Sequence, residues 1–197
     1  MSDFKNSKTF QNLANAFAGE SQARNRYTFF ASVAEKAGYQ QIADTFIETA
    51  NNEREHAEIY YEHMVDNLDG EEPHDMLHVE NDYPVHLDDT ASNLLSAAVG
   101  EEGEVEDYTE FAKVAEEEGY KDIARDFRNI AGIEAHHGKR YRTLRDNVLN
   151  ERVFEKEETR QWICGVCGYI HTAKKAPEIC PVCKHAKANF SLLCECY

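Results

Sequence analysis

The sequence predicts a mainly α-helical protein, a four-helix bundle followed by a small cysteine-rich domain. Apolar residues recur every three or four positions through most of residues 1–148, which is the period of amphipathic helices. The same stretch repeats itself after 81 positions, so that Glu20 falls on Glu101 and Glu53 falls on Glu134. All six cysteines lie beyond residue 163, which sets the last part of the chain apart from the helical part.

The composition excludes several classes of protein. The chain has 197 residues, of which 42% are hydrophobic, and a formal net charge of −16. No segment reaches the roughly 18 apolar residues that a membrane span needs. The first residues, MSDFKNSKTF, lack the apolar centre of a secretory signal. So acidic a chain repels phosphate backbones, so we do not expect it to bind nucleic acid. Because it also lacks an apolar span and a secretory signal, we expect a cytoplasmic protein that does not bind membranes.

The apolar pattern predicts four long helices. Gly38 and Gly119 each follow a charged helix end and indicate short turns between helices. A polar stretch with Gly70, Pro73 and Pro84 indicates a long connection between the second and third helices. The predicted helices span residues 8–37, 39–66, 91–118 and 120–148. The expected domains are a bundle over 1–148, a charged linker over 149–160 and a small domain over 161–197.

The internal repeat predicts how the helices pack. At the same offset Tyr27 falls on Tyr108 and His56 on His137, with no gap anywhere. Two similar helical hairpins are therefore expected to pack around a pseudo-twofold axis. The long connection then corresponds to the crossover of a ferritin-like bundle.

Each predicted helix carries a glutamate on its apolar face, and the second and fourth add a histidine three residues later. For a single glutamate, a solvated helix face is the simpler interpretation. It fails for four, because an unpaired buried carboxylate costs several kcal/mol and four together repel one another. A glutamate from each of two helices plus Glu-x-x-His from the other two is typical of di-iron or di-manganese proteins. The predicted ligands are Glu20, Glu53, His56, Glu101, Glu134 and His137, with Glu53 and Glu134 bridging the metals.

Three further residues are candidates near this site. Glu104 breaks the symmetry, because its repeat partner is Ala23. One turn beyond Glu101, it is either a seventh ligand, which we favour, or a carboxylate on a solvated rim. Tyr27 and Tyr108 lie two turns after their glutamates. They are either core residues, as most buried tyrosines are, or hydrogen-bond donors to ligand carboxylates.

The tail carries two Cys-x-x-Cys pairs with 12 residues between them. Such a pattern predicts a tetrahedral four-sulfur site, here formed by Cys164, Cys167, Cys180 and Cys183. The spacing alone allows zinc or a single iron, and a structural zinc ribbon is an equally good interpretation. Aromatic neighbours of the first pair suit a redox iron without excluding zinc. Cys194 and Cys196 have the wrong spacing for ligands, so we expect free thiols near the terminus.

Taken together, these motifs resemble the rubrerythrins. The resemblance covers nearly the whole chain and both domains in order. In this family, one more residue usually separates the third-helix glutamates from the tyrosine that follows, and cysteines at the positions of Cys194 and Cys196 are not expected. The matching segments are GESQARNRY from Gly19, EREH from Glu53, Gly100-Glu101, EAHH from Glu134, CGVCGY from Cys164 and CPVC from Cys180.

The resemblance implies an activity and a set of partners. Rubrerythrins reduce hydrogen peroxide to water at a di-iron centre, and an Fe(Cys)4 rubredoxin-like domain relays electrons from NAD(P)H-linked donors. It implies ligand roles for the glutamates assigned above. It also implies that Glu104 and His56 exchange on one iron as the redox state changes. It further implies a homodimer and, as electron donor, an NAD(P)H-dependent rubredoxin reductase or a rubredoxin.

Three alternatives rank below a peroxidase of this kind. The bundle suits a ferroxidase of ferritin type, although that leaves the cysteine-rich domain unexplained. The same two metals could instead reduce oxygen. A non-catalytic iron-binding interaction module, with a zinc ribbon as its tail, is the third.

Overall fold

The computed structural model describes residues 4–68 and 76–194. A 3-10 helix, Phe4–Asn6, leads into four long α-helices: α1 Lys8–Lys36, α2 Gln40–Asn67, α3 Thr90–Glu118 and α4 Lys121–Leu149. α1 packs along α2, and α3 along α4, as two hairpins that meet mainly through α1 and α3. The predicted mainly α-helical fold is confirmed, and each helix end lies within one residue of its predicted position. None of the helices within the described residues is long and apolar enough to cross a membrane.

Side chains at the helix ends explain where α1 and α3 begin. The hydroxyl of Ser7 accepts a hydrogen bond from the backbone N–H of Phe10, and the carboxylate of Asp89 accepts one from that of Ser92. Each bond satisfies a backbone donor that the first helical turn leaves unpaired. α3 ends at Gly119, whose φ of 93° is left-handed and strongly favours glycine. The turn to α4 is therefore tight, as the sequence predicts.

The bundle has two apolar clusters with a polar layer between them. On α1, Leu13 and Ala16 belong to one cluster, while Ala23 and Tyr27 belong to the other. Glu20 therefore lies between the clusters, and it is fully buried. The first cluster is built around Tyr60, Tyr108 and Phe127, and the second around Phe30, Phe46 and Tyr141.

The connection between α2 and α3 runs across α1. Its described part, residues 76–89, contains neither helix nor strand. The side-chain amide of Gln11 donates to the carbonyl of His78 at 3.1 Å, and the Tyr83 hydroxyl donates to the carbonyl of Asn15 at 3.3 Å. Gly70 and Pro73, which helped to predict this connection, lie outside the described residues.

The described part of the tail forms an antiparallel sheet. Its strands are β1 Glu155–Cys164, β2 Ile170–Lys175 and β3 Phe190–Leu192, in the order β2-β1-β3. Trp162 and Phe190 are buried beneath it, and the indole N–H of Trp162 donates to the carbonyl of Ala173 at 3.0 Å. Residues 155–160, expected as linker, belong to β1. They escape prediction because their side chains are largely exposed and show no apolar alternation.

An aromatic contact joins the tail to the bundle. Tyr39, in the turn between α1 and α2, stacks on Phe154 with ring centroids 6.1 Å apart and planes 11° apart. Val153 packs against the cluster that includes Tyr141. The tail is thus seated on the bundle end where α1 meets α2.

Two glycines should respond oppositely to the same substitution. Gly119→Ala forces a left-handed alanine and should destabilise the fold by about 1 kcal/mol. Gly132 lies exposed within α4, and a Cβ there meets nothing within 4 Å. Gly132→Ala should therefore stabilise by about 0.5–1 kcal/mol. Thermal unfolding at fixed metal content measures both, and shifts of equal sign would contradict the assigned helix end.

Candidate metal centres

Six buried donor side chains meet in the middle of the bundle. α1 and α3 each contribute one glutamate, whereas α2 and α4 each contribute a glutamate and a histidine one turn later. None of the six is more than 4% exposed. The residues are Glu20, Glu53, His56, Glu101, Glu134 and His137, which are those predicted from the sequence as ligands.

The six residues form two overlapping groups of four. One group contains Glu20 and His56, the other contains Glu101 and His137, and both contain Glu53 and Glu134. Within each group one donor atom per residue lies within 4.8 Å of all the others. The two shared carboxylates are therefore placed to bridge a pair of cations, while each histidine faces one.

The histidine contacts show the same arrangement from both sides. Nδ1 of His56 lies 2.9 Å from a carboxylate oxygen of Glu53 and 2.9 Å from one of Glu134. Nδ1 of His137 lies 2.8 Å from Glu134 and 3.4 Å from Glu53. Each imidazole thus points its Nδ1 at the two shared carboxylates.

Many polar atoms of this cage have no hydrogen-bond partner. They are Oε2 of Glu20, both carboxylate oxygens of Glu53, Nδ1 of His56, Oε2 of Glu101 and Oε1 of Glu134. Nδ1 of His56 is close to two carboxylates, yet no hydrogen bond forms there. Unpaired buried polar atoms are costly, and atoms that converge on a common point are satisfied together by a cation. The residues therefore fit two divalent metal ions.

Electrostatics in the cage point the same way. Burial, and then the neighbouring carboxylates, raise the pKa of Glu20 and of Glu53 well above the usual range. Burial raises the pKa of Glu101 to about 7. Burial also disfavours ionised Glu134, but its hydrogen bond with His137 and its close contact with His56 outweigh burial and lower the pKa of Glu134 to about 2. Without cations these carboxylates compete with one another for the ionised state.

Two tyrosines tie the hairpins together at the cage. The Tyr27 hydroxyl on α1 donates to Oε1 of Glu101 on α3 at 2.6 Å. The Tyr108 hydroxyl on α3 donates to Oε1 of Glu20 on α1 at 2.7 Å. Each tyrosine therefore bonds the glutamate of the opposite helix. Such contacts orient a metal-binding carboxylate.

Glu104 lies beside the cage rather than within either donor group. Its Oε1 is 3.9 Å from the point where a Cβ of Gly19 would stand, and the side chain borders a cavity. Burial, followed by Glu101 and Glu134, raises its pKa well above the usual range. The carboxylate is thus near the other four, and its role as a ligand stays a prediction.

The four cysteines of the two Cys-x-x-Cys pairs come together in the tail. They are Cys164, Cys167, Cys180 and Cys183, all free thiols with sulfur atoms within 4.8 Å of one another. Each pair ends in a similar turn. Gly168 donates its N–H to the carbonyl of Cys164, and Lys184 donates to that of Cys180.

Backbone groups in the second turn favour a thiolate. Burial acts against ionised Cys180, but the backbone N–H groups of Cys183 and Val182 outweigh it and lower the pKa of Cys180 to about 6. A deprotonated sulfur is the form that binds metal. The geometry and the donor chemistry therefore fit a tetrahedral tetrathiolate site.

The expectation of a free thiol at Cys194 is wrong. Cys194 is disulfide-bonded, while the four cysteines of the tetrathiolate group are free. Those four are held together by the turns of their own Cys-x-x-Cys pairs. Cys196, also expected as a free thiol, lies outside the described residues.

Sequence reasoning missed one element of this region. Tyr83, on the connection between α2 and α3, lies against Gly19 and close to Glu104. No periodicity marks it, because residues 76–89 form neither helix nor strand. The signal that the sequence offers is that Tyr83 is the one aromatic Phe, Tyr or Trp between residues 66 and 90.

Comparisons with known proteins agree with both centres. A model of the rubrerythrin family matches residues 11–145 and 92–163, and a model of the rubredoxin-like domain of rubrerythrin matches residues 162–191. Rubrerythrin-1 of Clostridium acetobutylicum is 48% identical over 199 residues and covers 100% of both chains. The rubrerythrin of Porphyromonas gingivalis is 50% identical, covering 94% of this chain and 90% of its own.

Solved structures give the same result for the fold. Nigerythrin in a partially reduced state is 30% identical with a TM-score of 0.61, covering 98% of this chain and 91% of its own. Bacterioferritin of Desulfovibrio desulfuricans, described with a di-iron site, is 26% identical with a TM-score of 0.65 and covers 74% of this chain and 82% of its own. Together with the two donor groups, these matches confirm the predicted cofactors, a di-iron carboxylate site and a rubredoxin-type four-cysteine site.

Removing the metals should make the stability of the bundle fall as the pH rises. The pKa of Glu101 in the folded chain, about 7, exceeds the ordinary value of 4.5. Its contribution to stability is full below pH 4.5 and disappears as the pH rises through about 7. His137, with a pKa raised to about 9 by Glu101 and Glu134 against the effect of burial, loses its contribution at still higher pH.

Thermal unfolding at about pH 5 and about pH 7.5 measures this effect on metal-free and metal-loaded protein. The metal-free midpoint should fall between the two pH values. The loaded midpoint should rise instead, because metal affinity increases as the ligands lose protons. The same pH dependence in both forms would contradict this account of the cage.

Tyr27→Phe should weaken metal binding without unfolding the bundle. The variant keeps the ring but loses the hydroxyl that orients Glu101, so metal affinity should fall by about 10- to 100-fold. Tyr61→Phe is the matched control, because Tyr61 lies on α2 and is 52% exposed. Metal titration followed by absorption compares the two, and equal affinities would rule out the orienting role.

Proposed function

Because the chain belongs to the rubrerythrin family, we propose that it reduces hydrogen peroxide to water at the carboxylate–histidine cage of the bundle. We further propose that electrons reach the cage through the four-cysteine site, as protection against oxidative stress. The observation that carries the proposal is the presence of both centres in one chain, each with its full set of converging donor atoms. We also propose a cytoplasmic homodimer.

The cage residues have separate tasks in this reaction. Glu53 and Glu134 would hold both metal ions, and His56 and His137 would each hold one, as the distances between their donor atoms favour. Tyr27 fixes the carboxylate of Glu101, and Tyr108 does the same for Glu20. The two apolar clusters on either side of the cage exclude water. The positive charge of bound metal ions would therefore be balanced by the glutamates of the cage and not by solvent.

The chemistry is a two-electron reduction. When bound, the two irons supply the two electrons that break the O–O bond of hydrogen peroxide. With two protons the products are two molecules of water. Glu104 borders the open side of the cage, and its raised pKa suits a carboxyl group that holds a proton there.

The tail suits the return of electrons one at a time. Backbone N–H groups directed at Cys180 stabilise a thiolate ligand, and Cys167 is exposed where a redox protein could approach. As donor we propose an NAD(P)H-dependent rubredoxin reductase or a rubredoxin. An electron relay gives the four-cysteine domain a role in the reaction, whereas a structural zinc ribbon would have none.

A ferroxidase of ferritin type is the second candidate, because the bundle resembles a bacterioferritin over 74% of the chain. An oxygen-reducing oxidase is the third. Anaerobic stopped-flow absorption separates them, with reduced, iron-loaded protein mixed either with hydrogen peroxide or with oxygen. The visible band of the oxidised four-cysteine site reports when electrons leave the tail. Faster return of the band with peroxide supports the peroxidase, and faster return with oxygen contradicts it.

Cys180→Ser should separate the two centres. Loss of one thiolate should abolish most NADH-linked peroxide reduction measured with a reductase. A small chemical reductant should still support reduction at the cage, because none of the cage residues is changed. Glu53→Ala is the converse variant and should lose metal and activity with either reductant. Full NADH-linked activity in Cys180→Ser would show that the relay is wrong.

A further inference from the structure

A cavity of about 550 Å³ lies beside the cage, and its wall includes Glu104 and Tyr108, whose hydroxyl donates to the cage residue Glu20. It lies between α1, α3 and the connection that crosses them. Glu104 and Tyr108 stand at its inner end, and Leu95, Val99 and Phe111 form an apolar part of its wall. Its volume lies within the range of roughly 300–1,000 Å³ that accommodates drug-sized ligands. The space is therefore far larger than hydrogen peroxide requires.

Tyr83 lines the cavity close to Glu104. A Cβ at Gly19 would lie 3.9 Å from Oε1 of Glu104 and 3.9 Å from Cε1 of Tyr83. The Tyr83 ring and the Glu104 carboxylate therefore meet at one point of α1, directly before Glu20. Gly19, which has no side chain, lines the cavity at this point.

Tyr83 is held there by few contacts. It belongs to a segment without helix or strand, and its hydroxyl makes a long hydrogen bond, 3.3 Å, to the carbonyl of Asn15. Burial, and to a smaller extent Glu104, raise its pKa, so the hydroxyl stays neutral at ordinary pH. The ring therefore acts through its bulk and can be removed without disturbing a helix.

We propose that this cavity is the substrate entrance and that Tyr83 is a specificity-determining residue, which admits hydrogen peroxide and restricts larger hydroperoxides. The inference rests on the proposed function and adds the class of substrate. An organic hydroperoxide would place its alkyl or aryl group against Leu95, Val99 and Phe111, with its peroxide end toward Glu104. Two electrons and two protons then convert the hydroperoxide ROOH into the alcohol ROH and water.

The first test compares two substrates in the iron-loaded, reduced protein. Cumene hydroperoxide and hydrogen peroxide are mixed separately with the parent, Tyr83→Ala, Tyr83→Phe and Tyr61→Ala. Tyr83→Ala should raise the rate ratio of cumene hydroperoxide to hydrogen peroxide by about tenfold or more, a typical effect of pocket size. Tyr83→Phe keeps the ring and should keep the ratio, and Tyr61→Ala removes an exposed tyrosine elsewhere. An unchanged ratio in Tyr83→Ala overturns the inference.

The second test measures access without turnover. Ser96 lies on the cavity wall, away from the cage residues, and Ser96→Trp should fill the passage. Azide binding to the oxidised, iron-loaded protein is followed by absorption in the parent, Ser96→Trp and Ser96→Ala. Ser96→Trp should slow azide association by about tenfold with the same absorbance change at saturation, while Ser96→Ala should not. Equal association rates overturn the entrance even if Tyr83→Ala fails to fold.

The two proposals fail in different ways. If the parent reduces hydrogen peroxide but neither variant alters selectivity or azide association, only the entrance is wrong. If the parent does not reduce hydrogen peroxide, the proposed function is wrong and the substrate assignment falls with it.

Discussion

The burial of four glutamates within one apolar bundle is the constraint on which this structure depends. Ionised carboxylates in a core cannot be stable without opposite charge, and protonated His137 balances only part of the negative charge. Metal ions supply the rest, so the same side chains that destabilise the empty cage hold the four helices together when it is filled. Stability and cofactor binding are therefore one property of this fold, as expected where a metal site is assembled only by folding.

The internal repeat gives this constraint a geometric solution. Glu53 and Glu134 occupy equivalent positions in the two hairpins, and both belong to both donor groups. The tyrosines of the repeat cross over, Tyr27 to Glu101 and Tyr108 to Glu20, so that each hairpin positions a ligand of the other. Neither hairpin can form a complete site alone. The hairpins are thus joined by hydrogen bonds at the place where apolar packing between them is interrupted.

Periodicity and repetition were enough to predict the four helices and the six cage residues, because both follow local rules that each helix obeys independently. Contacts between different helices and strands could not be predicted from periodicity and repetition. The crossed tyrosine bonds depend on how α1 faces α3, which no local pattern encodes. Residues 155–160 join β1 through backbone pairing while their side chains face solvent, so composition made them resemble a linker. No local pattern predicts the disulfide of Cys194, and Tyr83 lies beside Gly19 because the connection folds back over α1.

One asymmetry of the repeat coincides with the cavity beside the cage. Ala23 and Glu104 are equivalent in sequence, but Ala23 is buried among apolar residues whereas Glu104 borders the cavity. A carboxylate at the Ala23 position would be placed in an apolar cluster, at the cost of an unpaired buried charge. At the Glu104 position the cavity offers room and polar neighbours. The connection between α2 and α3 causes this difference between the two positions. It packs along α1 and α3 and encloses a cavity that Glu104 borders and Ala23 does not. A pseudo-symmetric scaffold thus acquires a cavity on one side of the cage, bounded by the connection that joins its two hairpins.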